Sequence, residues 1–433
     1  MKSFDVAIAG GGLIGGAIAL ELARAGLRVA LFERGEPGRE ASWAGAGILS
    51  PAPENPGNIP LVPLGKASLA LYPEFVGAVE EISGQKVGFR PRGTLEVLFS
   101  SDAASELSTI IALHHGLGLK AEPLRPEDAR DLEPSLSAEI AAAVLRPDEA
   151  SVDNRALTSA VFAAARQSGV EILSGTRVRG IWREGKRCAG LLLENEKVAA
   201  QWTVISAGCF SAEIEGAEKY APVRPAKGQM VALRTDRIKV GNGIKSSESK
   251  IDDEIKESEE IKSRDRIRSV GIDACQEMES EVEGKRGDGT KKNEGRGGDG
   301  EIKIERVLWS EHVYLVPRND GRILAGATVE YAGFDKSVTA GSIAKIISGA
   351  IQLVPELANA RVEETWAGLR PDSPDHLPII GPTDLEGLLI ATGHFRSGIL
   401  LAPITAQLIR EWVTFQNVSV EWDRFSPMRF HRG

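Results

Sequence analysis

Gly10, Gly12 and Gly15 stand in G-x-G-x-x-G spacing directly after the apolar run Val6-Ala7-Ile8-Ala9, and an acid, Glu33, closes the next apolar run over 28–32. Those residue types can hold a dinucleotide. Gly10 permits a sharp turn, Gly12 lets the backbone approach a pyrophosphate, Gly15 lets a helix pack closely on the strand, and the helix start offers N–H groups to phosphate. Glu33 is placed to accept hydrogen bonds from an adenosine ribose. Glycines alone are a weak signal; the strand before them, the helix after them and the acid beyond separate this stretch from an ordinary Gly-rich turn. The following segment, 41–51 (ASWAGAGILSP), has small residues that neither favour a strong helix nor fill a core. Small side chains let a flat group lie against backbone, so its nearness to the glycines marks it as a cofactor channel.

Apolar periodicity supplies the elements that must position these residues. Helices are predicted over 66–82, 103–115, 126–132, 154–168 and 340–353. Strands are predicted over 93–99, 142–145, 170–173, 177–182, 189–194, 202–208, 228–234, 307–309, 313–317 and 322–325, the last two joined at Asn319-Asp320-Gly321. Run 202–208 ends on Ser206-Ala207-Gly208, suited to returning to the nucleotide-binding sheet and presenting backbone beside a pyrophosphate. The fold class is therefore α/β, with a Rossmann-like domain interrupted in sequence and a second, α+β domain.

At 433 residues the chain suits two or three domains. A net charge of -9 argues against sequence-independent nucleic-acid binding, and no apolar stretch reaches the length of a membrane span. The chain enters a core strand without a charged leader, so a cytoplasmic location is expected. Cys188, Cys209 and Cys275 have neither metal-ligand nor CxxC spacing, so no metal is expected. Over 236–305 about half the residues are charged, of both signs, with almost no aromatics. That composition cannot offset its conformational entropy by apolar burial, and reads as a disordered insertion between two strands.

The motifs together resemble the D-amino-acid oxidase superfamily of FAD-dependent oxidoreductases, most closely its glycine oxidase (ThiO-like) branch. The resemblance is carried by the glycine turn with Glu33-Arg34, by 42–49 (SWAGAGIL), by 366–371 (WAGLRP) and by 393–403 (GHFRSGILLAP). It implies non-covalent FAD and a substrate domain on a mainly antiparallel sheet. It places FAD contacts at Gly10, Gly12, Leu13, Ile14, Gly15, Glu33, Arg34, Ser42, Trp43, Gly47, Ile48, Leu49 and Val178, and along His394, Phe395, Arg396, Ser397, Gly398, Ile399 and Leu400. It places Arg370 at the substrate carboxylate, Tyr314 in the substrate pocket, and Arg396 between substrate and flavin. A buried guanidinium suits the first role, because it is permanently charged and binds carboxylate through two N–H groups. A helix from 399 to about 415 is expected to point its N-terminus at the flavin. Val329 and Ser397 depart from the family pattern, and Val329 is expected to widen substrate choice.

The implied domains are 1–88, 150–222 and 365–433 for FAD, and 89–149 with 223–364 for substrate. The implied reaction is oxidative deamination of glycine and small related amines to an imine, with O2 reduced to H2O2, feeding thiamine biosynthesis. Two alternatives stand: a D-amino acid or sarcosine dehydrogenase using another acceptor, and a flavin-binding scaffold without turnover. No residue is assigned as general base, since His312 reads as a surface or supporting histidine, and the oligomeric state is left open. Replacing 239–303 by a short turn is expected to leave soluble protein with an unchanged flavin spectrum. Loss of soluble, FAD-bound protein after that deletion would show that the segment packs on the body.

Overall fold

The computed structural model describes residues 2–53, 55–100, 102–234 and 302–431. Nearly all of the charged insertion, and Cys275 within it, lies outside the described residues. Two eight-stranded sheets make up the body. In the first, six strands run in the order Ile379–Pro382, Leu388–Thr392, Lys197–Ile205, Ser3–Ala9, Val29–Phe32, Glu171–Leu173, and two more branch off as Arg187–Leu192, antiparallel to Lys197–Ile205, and its partner Gly180–Glu184. Leu388–Thr392 through Glu171–Leu173 are parallel, so their carboxyl ends open on one edge. The strand over 202–205 does return to the nucleotide sheet, pairing Ala7 with Thr203 and Ala9 with Ile205.

Helices Leu13–Arg24, Val62–Ser83, Asn154–Gln167 and Ala402–Phe415 cover one face of this sheet. That face is an unbroken apolar layer, with Ile8, Ile18, Leu31, Tyr72, Leu157, Val204 and Leu408 all buried. The helix Val62–Ser83 runs continuously through Pro73 and also grips the C-terminal segment. Ser68 Oγ donates to the carbonyl of Leu400 at 2.6 Å, and Tyr72 Oη donates to the carbonyl of Ile399. Residues four apart share a helix face, so two consecutive carbonyls are held by one stripe.

The second sheet runs Arg361–Asp372, Arg224–Arg234, Arg322–Gly326, Tyr314–Pro317, Val307–Trp309, Thr94–Leu98, Ala142–Arg146, Glu122–Leu124. It is antiparallel except where Val307–Trp309 meets Thr94–Leu98. Glu96, Trp309, Tyr314, Gly326, Met230 and Trp366 are directly opposite one another, strand by strand, so they lie in one row on one face. The other face packs on the helix Ala340–Leu353.

The chain re-enters the described structure at Ile302, earlier than composition suggested. Ile304 is buried in the second sheet's core, and the buried Glu133 carboxylate accepts from the N–H groups of Glu305 and Arg306 at 3.0 Å each. A deletion ending at residue 301 keeps those contacts; one ending at 303 removes Ile302. The last long helix begins at Ala402, three residues later than expected, after a short 3-10 turn at Phe395–Ser397. Among the described residues no helix is long and apolar enough to cross a membrane.

Tyr72→Phe keeps the ring in its apolar setting but leaves the Ile399 carbonyl without that donor. The expected cost is about 1–3 kcal/mol, read as a lower denaturant midpoint at unchanged slope. An unchanged midpoint would mean that this hydrogen bond contributes no net stability.

Candidate active site

The carboxyl ends of the parallel strands frame a cavity lined by Ala9, Phe32, Ser206 and Thr392. Ligands bind at this edge in open α/β sheets, where the order reverses about the first strand. Gly10 has φ 113°, and a Cβ there would lie 2.5 Å from the Ser206 carbonyl oxygen. A Cβ on Gly15 would lie 2.1 Å from the Gly10 oxygen. At Gly12 a Cβ would meet only Ser42 Oγ, at 3.3 Å, so this glycine leaves room on the cavity side. Glu33 Oε2 accepts from Gly11 N–H at 2.7 Å and Oε1 from Gly35 N–H at 2.9 Å. Each oxygen keeps a second lone pair for a ribose hydroxyl.

Leu13, Ile14, Arg34, Ser42 and Val178 line the same cavity. Ser42 Oγ accepts from Leu13 N–H at 2.8 Å, tying the channel segment to the helix start. The Arg34 guanidinium lies 3.3 Å from the centre of the Phe210 ring, itself a lining residue. Cys209, which spacing gave no role, also lines the cavity; burial pushes its thiol up to about 12, so it stays protonated. The glycine cradle, the acid on the second strand and the long, mainly apolar lining fit an FAD.

A second cavity adjoins the first. Gly45, Leu369, Arg370, His394, Phe395, Arg396 and Ile399 line both. Beyond them the second cavity takes in Gly47, Ile48, Ser397 and Leu400, and the sheet row through Met230, Tyr314, Trp309 and Glu96. Arg370 is half-buried on the long strand Arg361–Asp372, and its guanidinium lies over Gly228, where a Cβ would come within 2.2 Å of Nη1. Its Nη1 donates to the Thr328 carbonyl at 3.1 Å. The Tyr314 hydroxyl lies 3.3 Å from Met230 Sδ. Trp43 and Leu49 line neither cavity: Trp43 packs edge-on against Trp366 with centroids 5.8 Å apart, and Leu49 is fully buried in a two-residue strand. Val329 is 43% exposed and lines neither cavity, so the expected effect on substrate choice has no support in its position. His312 is exposed beside Glu311. His394 is buried, bonds Thr405 Oγ1 at 3.0 Å, and burial holds its imidazole down at about 3, so it is neutral.

Several site residues went unread in the sequence. Segment 42–47 separates the cavities, and its carbonyls are held from outside. Asn154 Nδ2 donates to Ser42 O at 2.7 Å and Trp43 O at 3.1 Å, Trp366 Nε1 to Ala44 O at 3.0 Å, and Arg318 Nη2 to Ala46 O at 2.7 Å. Arg155 stacks on Trp43 at 3.6 Å from the ring centre and pairs with Glu364 at 2.9 Å. Arg318 is 7% exposed; burial lowers it to about 10, and Asp153 at 3.8 Å opposes that shift. An Asn starting a helix and an Arg ending a strand look ordinary in a sequence, and only burial reveals their work. His376 lines the second cavity and bonds the buried Asp372.

This fold and site belong to a flavoprotein oxidoreductase: the chain is a member of the DAO family of FAD dependent oxidoreductases, matched over residues 5–254 and 291–412. It is of the glycine oxidase type. The glycine oxidase of Pseudomonas aeruginosa is 30% identical over 428 residues, covering 98% of each chain. The crystal structure of glycine oxidase from Geobacillus kaustophilus superposes with a TM-score of 0.79 at 27% identity, covering 99% of each chain. The bifunctional protein ThiO/ThiG of Trichormus variabilis is 29% identical over 99% of this chain and 55% of its own length. The chain thus spans about half the length of the ThiO/ThiG relatives it matches.

Gly12→Val is expected to give folded protein without flavin colour, whereas Gly15→Val, colliding with the Gly10 carbonyl, is expected to lose soluble protein altogether. In the unmodified protein, acid precipitation should release the colour into the supernatant. Colour retained in the pellet would point to a covalent link.

Proposed function

We propose that this protein binds FAD non-covalently and oxidises glycine and small related amines to the imine, with O2 reduced to H2O2. The observation that carries this reading is the position of Arg370 and Arg396 on the wall common to both cavities. Bound there, FAD supplies the two-electron acceptor. Arg370 offers a fixed cation to a carboxylate in the second cavity, which leaves the substrate Cα beside the shared wall. Tyr314, buried in the sheet row, bounds the space left for a side chain and suits a small substrate. The first turn of the helix Ala402–Phe415 follows this wall and adds positive potential. The domains are read as 1–88, 150–222 and 365–433 for FAD and 89–149 with 223–364 for substrate, with the strand Arg361–Asp372 of the second sheet running across the boundary at 365. The likeness to the ThiO/ThiG relatives supports extending this reading to thiamine biosynthesis.

Oxygen consumption and peroxide release by the purified protein over glycine, sarcosine, D-alanine and D-proline test the reaction directly. Turnover only with a dye or quinone would favour a dehydrogenase, and bound FAD without turnover would favour a scaffold. Arg370→Ala is expected to retain FAD yet lose roughly 30-fold or more in kcat/KM for glycine, because a desolvated charge pair is worth about 2–5 kcal/mol. Amines without a carboxylate should change far less. An equal loss for both substrate types would move the carboxylate anchor elsewhere.

A further inference from the structure

Amino acid substrates reach an enzyme at neutral pH largely as ammonium ions, and a C–H bond alpha to nitrogen gives up its hydride only once the nitrogen lone pair is available. Something must accept that proton. Building on the proposed amine oxidation, we propose that His376, oriented by Asp372, is the group that accepts it.

Three observations support this. His376 lines the second cavity together with Arg370 and Arg396. Its Nδ1 lies 2.6 Å from Oδ1 of Asp372, which is fully buried at the end of the Arg370 strand. The Asp372 Oδ2 is fixed in turn by the Tyr331 hydroxyl at 2.8 Å and by Arg224 at 3.3 Å. A carboxylate on Nδ1 sets the tautomer and leaves Nε2 as the nitrogen that exchanges protons. Lastly, His376 has φ 60°, a left-handed conformation that favours glycine, and a side chain kept there at a cost calls for a purpose.

The other titratable groups of this cavity are poorly suited. Glu96 is paired with Arg146, His394 is buried and bonded to Thr405, and Arg370 and Arg396 are permanent cations. Glu311 is an exposed carboxylate, and the Tyr314 phenol is buried against Met230. On its other sides His376 meets the Phe395 ring at 5.6 Å, and the neighbouring Asp375 is taken up by Arg429 at 2.8 Å. The step is a simple transfer: one N–H bond of the substrate ammonium breaks, an N–H bond forms on Nε2, and the charge moves to the imidazolium beside Asp372. With 41% of its side chain exposed, His376 can pass the proton on to solvent.

His376→Gly is the test, since glycine adopts φ 60° without penalty and the fold should be retained. With glycine as substrate, kcat/KM near neutral pH is expected to fall roughly 100-fold. The deficit should shrink toward wild type in alkaline buffer, where free glycine is already deprotonated, and added imidazole should restore activity at neutral pH. Asp372→Asn should lose activity in the same pH-dependent way. Calorimetry of 2-aminoisobutyrate, an amino acid with no Cα–H to oxidise, in buffers of different ionisation enthalpy gives a readout without turnover: the proton released to buffer on binding should vanish in His376→Gly. An equal deficit at every pH, or no rescue by imidazole, overturns the assignment. Absence of turnover by the wild type on any amine would instead overturn the proposed reaction.

Discussion

Two missing methyl groups set the geometry of the whole site. Without a Cβ at Gly10 and Gly15, the first helix can lie with its backbone almost on the carbonyl of the turn that precedes it. Ser206 completes the arrangement from the neighbouring strand: its N–H donates to the Ala9 carbonyl at 2.8 Å and its hydroxyl to the Gly10 carbonyl at 3.2 Å. The helix start, two strand ends and the acid on a third strand are thereby fixed around one point. The cofactor cavity is what remains between them.

The two sheets communicate through segment 42–47. One side of it belongs to the cofactor cavity and the other packs against the sheet row that carries Tyr314, Met230 and Trp366. A stretch of small residues has little packing of its own with which to hold a shape. It is held by its carbonyls instead: those of Ser42, Trp43, Ala44 and Ala46 are bonded by the buried donors Asn154, Trp366 and Arg318. Arg318 is costly to bury, and its hydrogen bonds to Ala46 and Asn154 offset part of that cost. The guanidinium that fixes the wall comes from the substrate sheet and the amide from a helix under the cofactor sheet, so the wall registers one sheet against the other.

Much of this was legible from residue order. The glycine turn, the return of the strand over 202–205, the Asn319-Asp320-Gly321 hairpin and the helix Ala340–Leu353 follow local rules that a sequence displays openly. The strand Arg361–Asp372 does not, because its first half is charged and its second half contains Gly368 and Pro371, features that favour turns unless a long partner such as Arg224–Arg234 lies alongside. His376 was invisible for a related reason: Ser373-Pro374-Asp375-His376 reads as a loop, and a buried acid four residues earlier becomes a partner only when the strand ends where it does. Buried polar networks are assembled from distant residues, and periodicity says nothing about them.

The Glu133 clasp on Glu305 and Arg306 bears on how such a protein can change over time. The strands Arg224–Arg234 and Val307–Trp309 are separated in the sheet by two others, a crossing of about 15 Å that roughly five extended residues could make. Because the returning strand is seated by a buried carboxylate, its register does not depend on what lies between. The sheet therefore asks of this connection little more than a minimum reach, and a change in its length need not be answered by a change in the strands it joins.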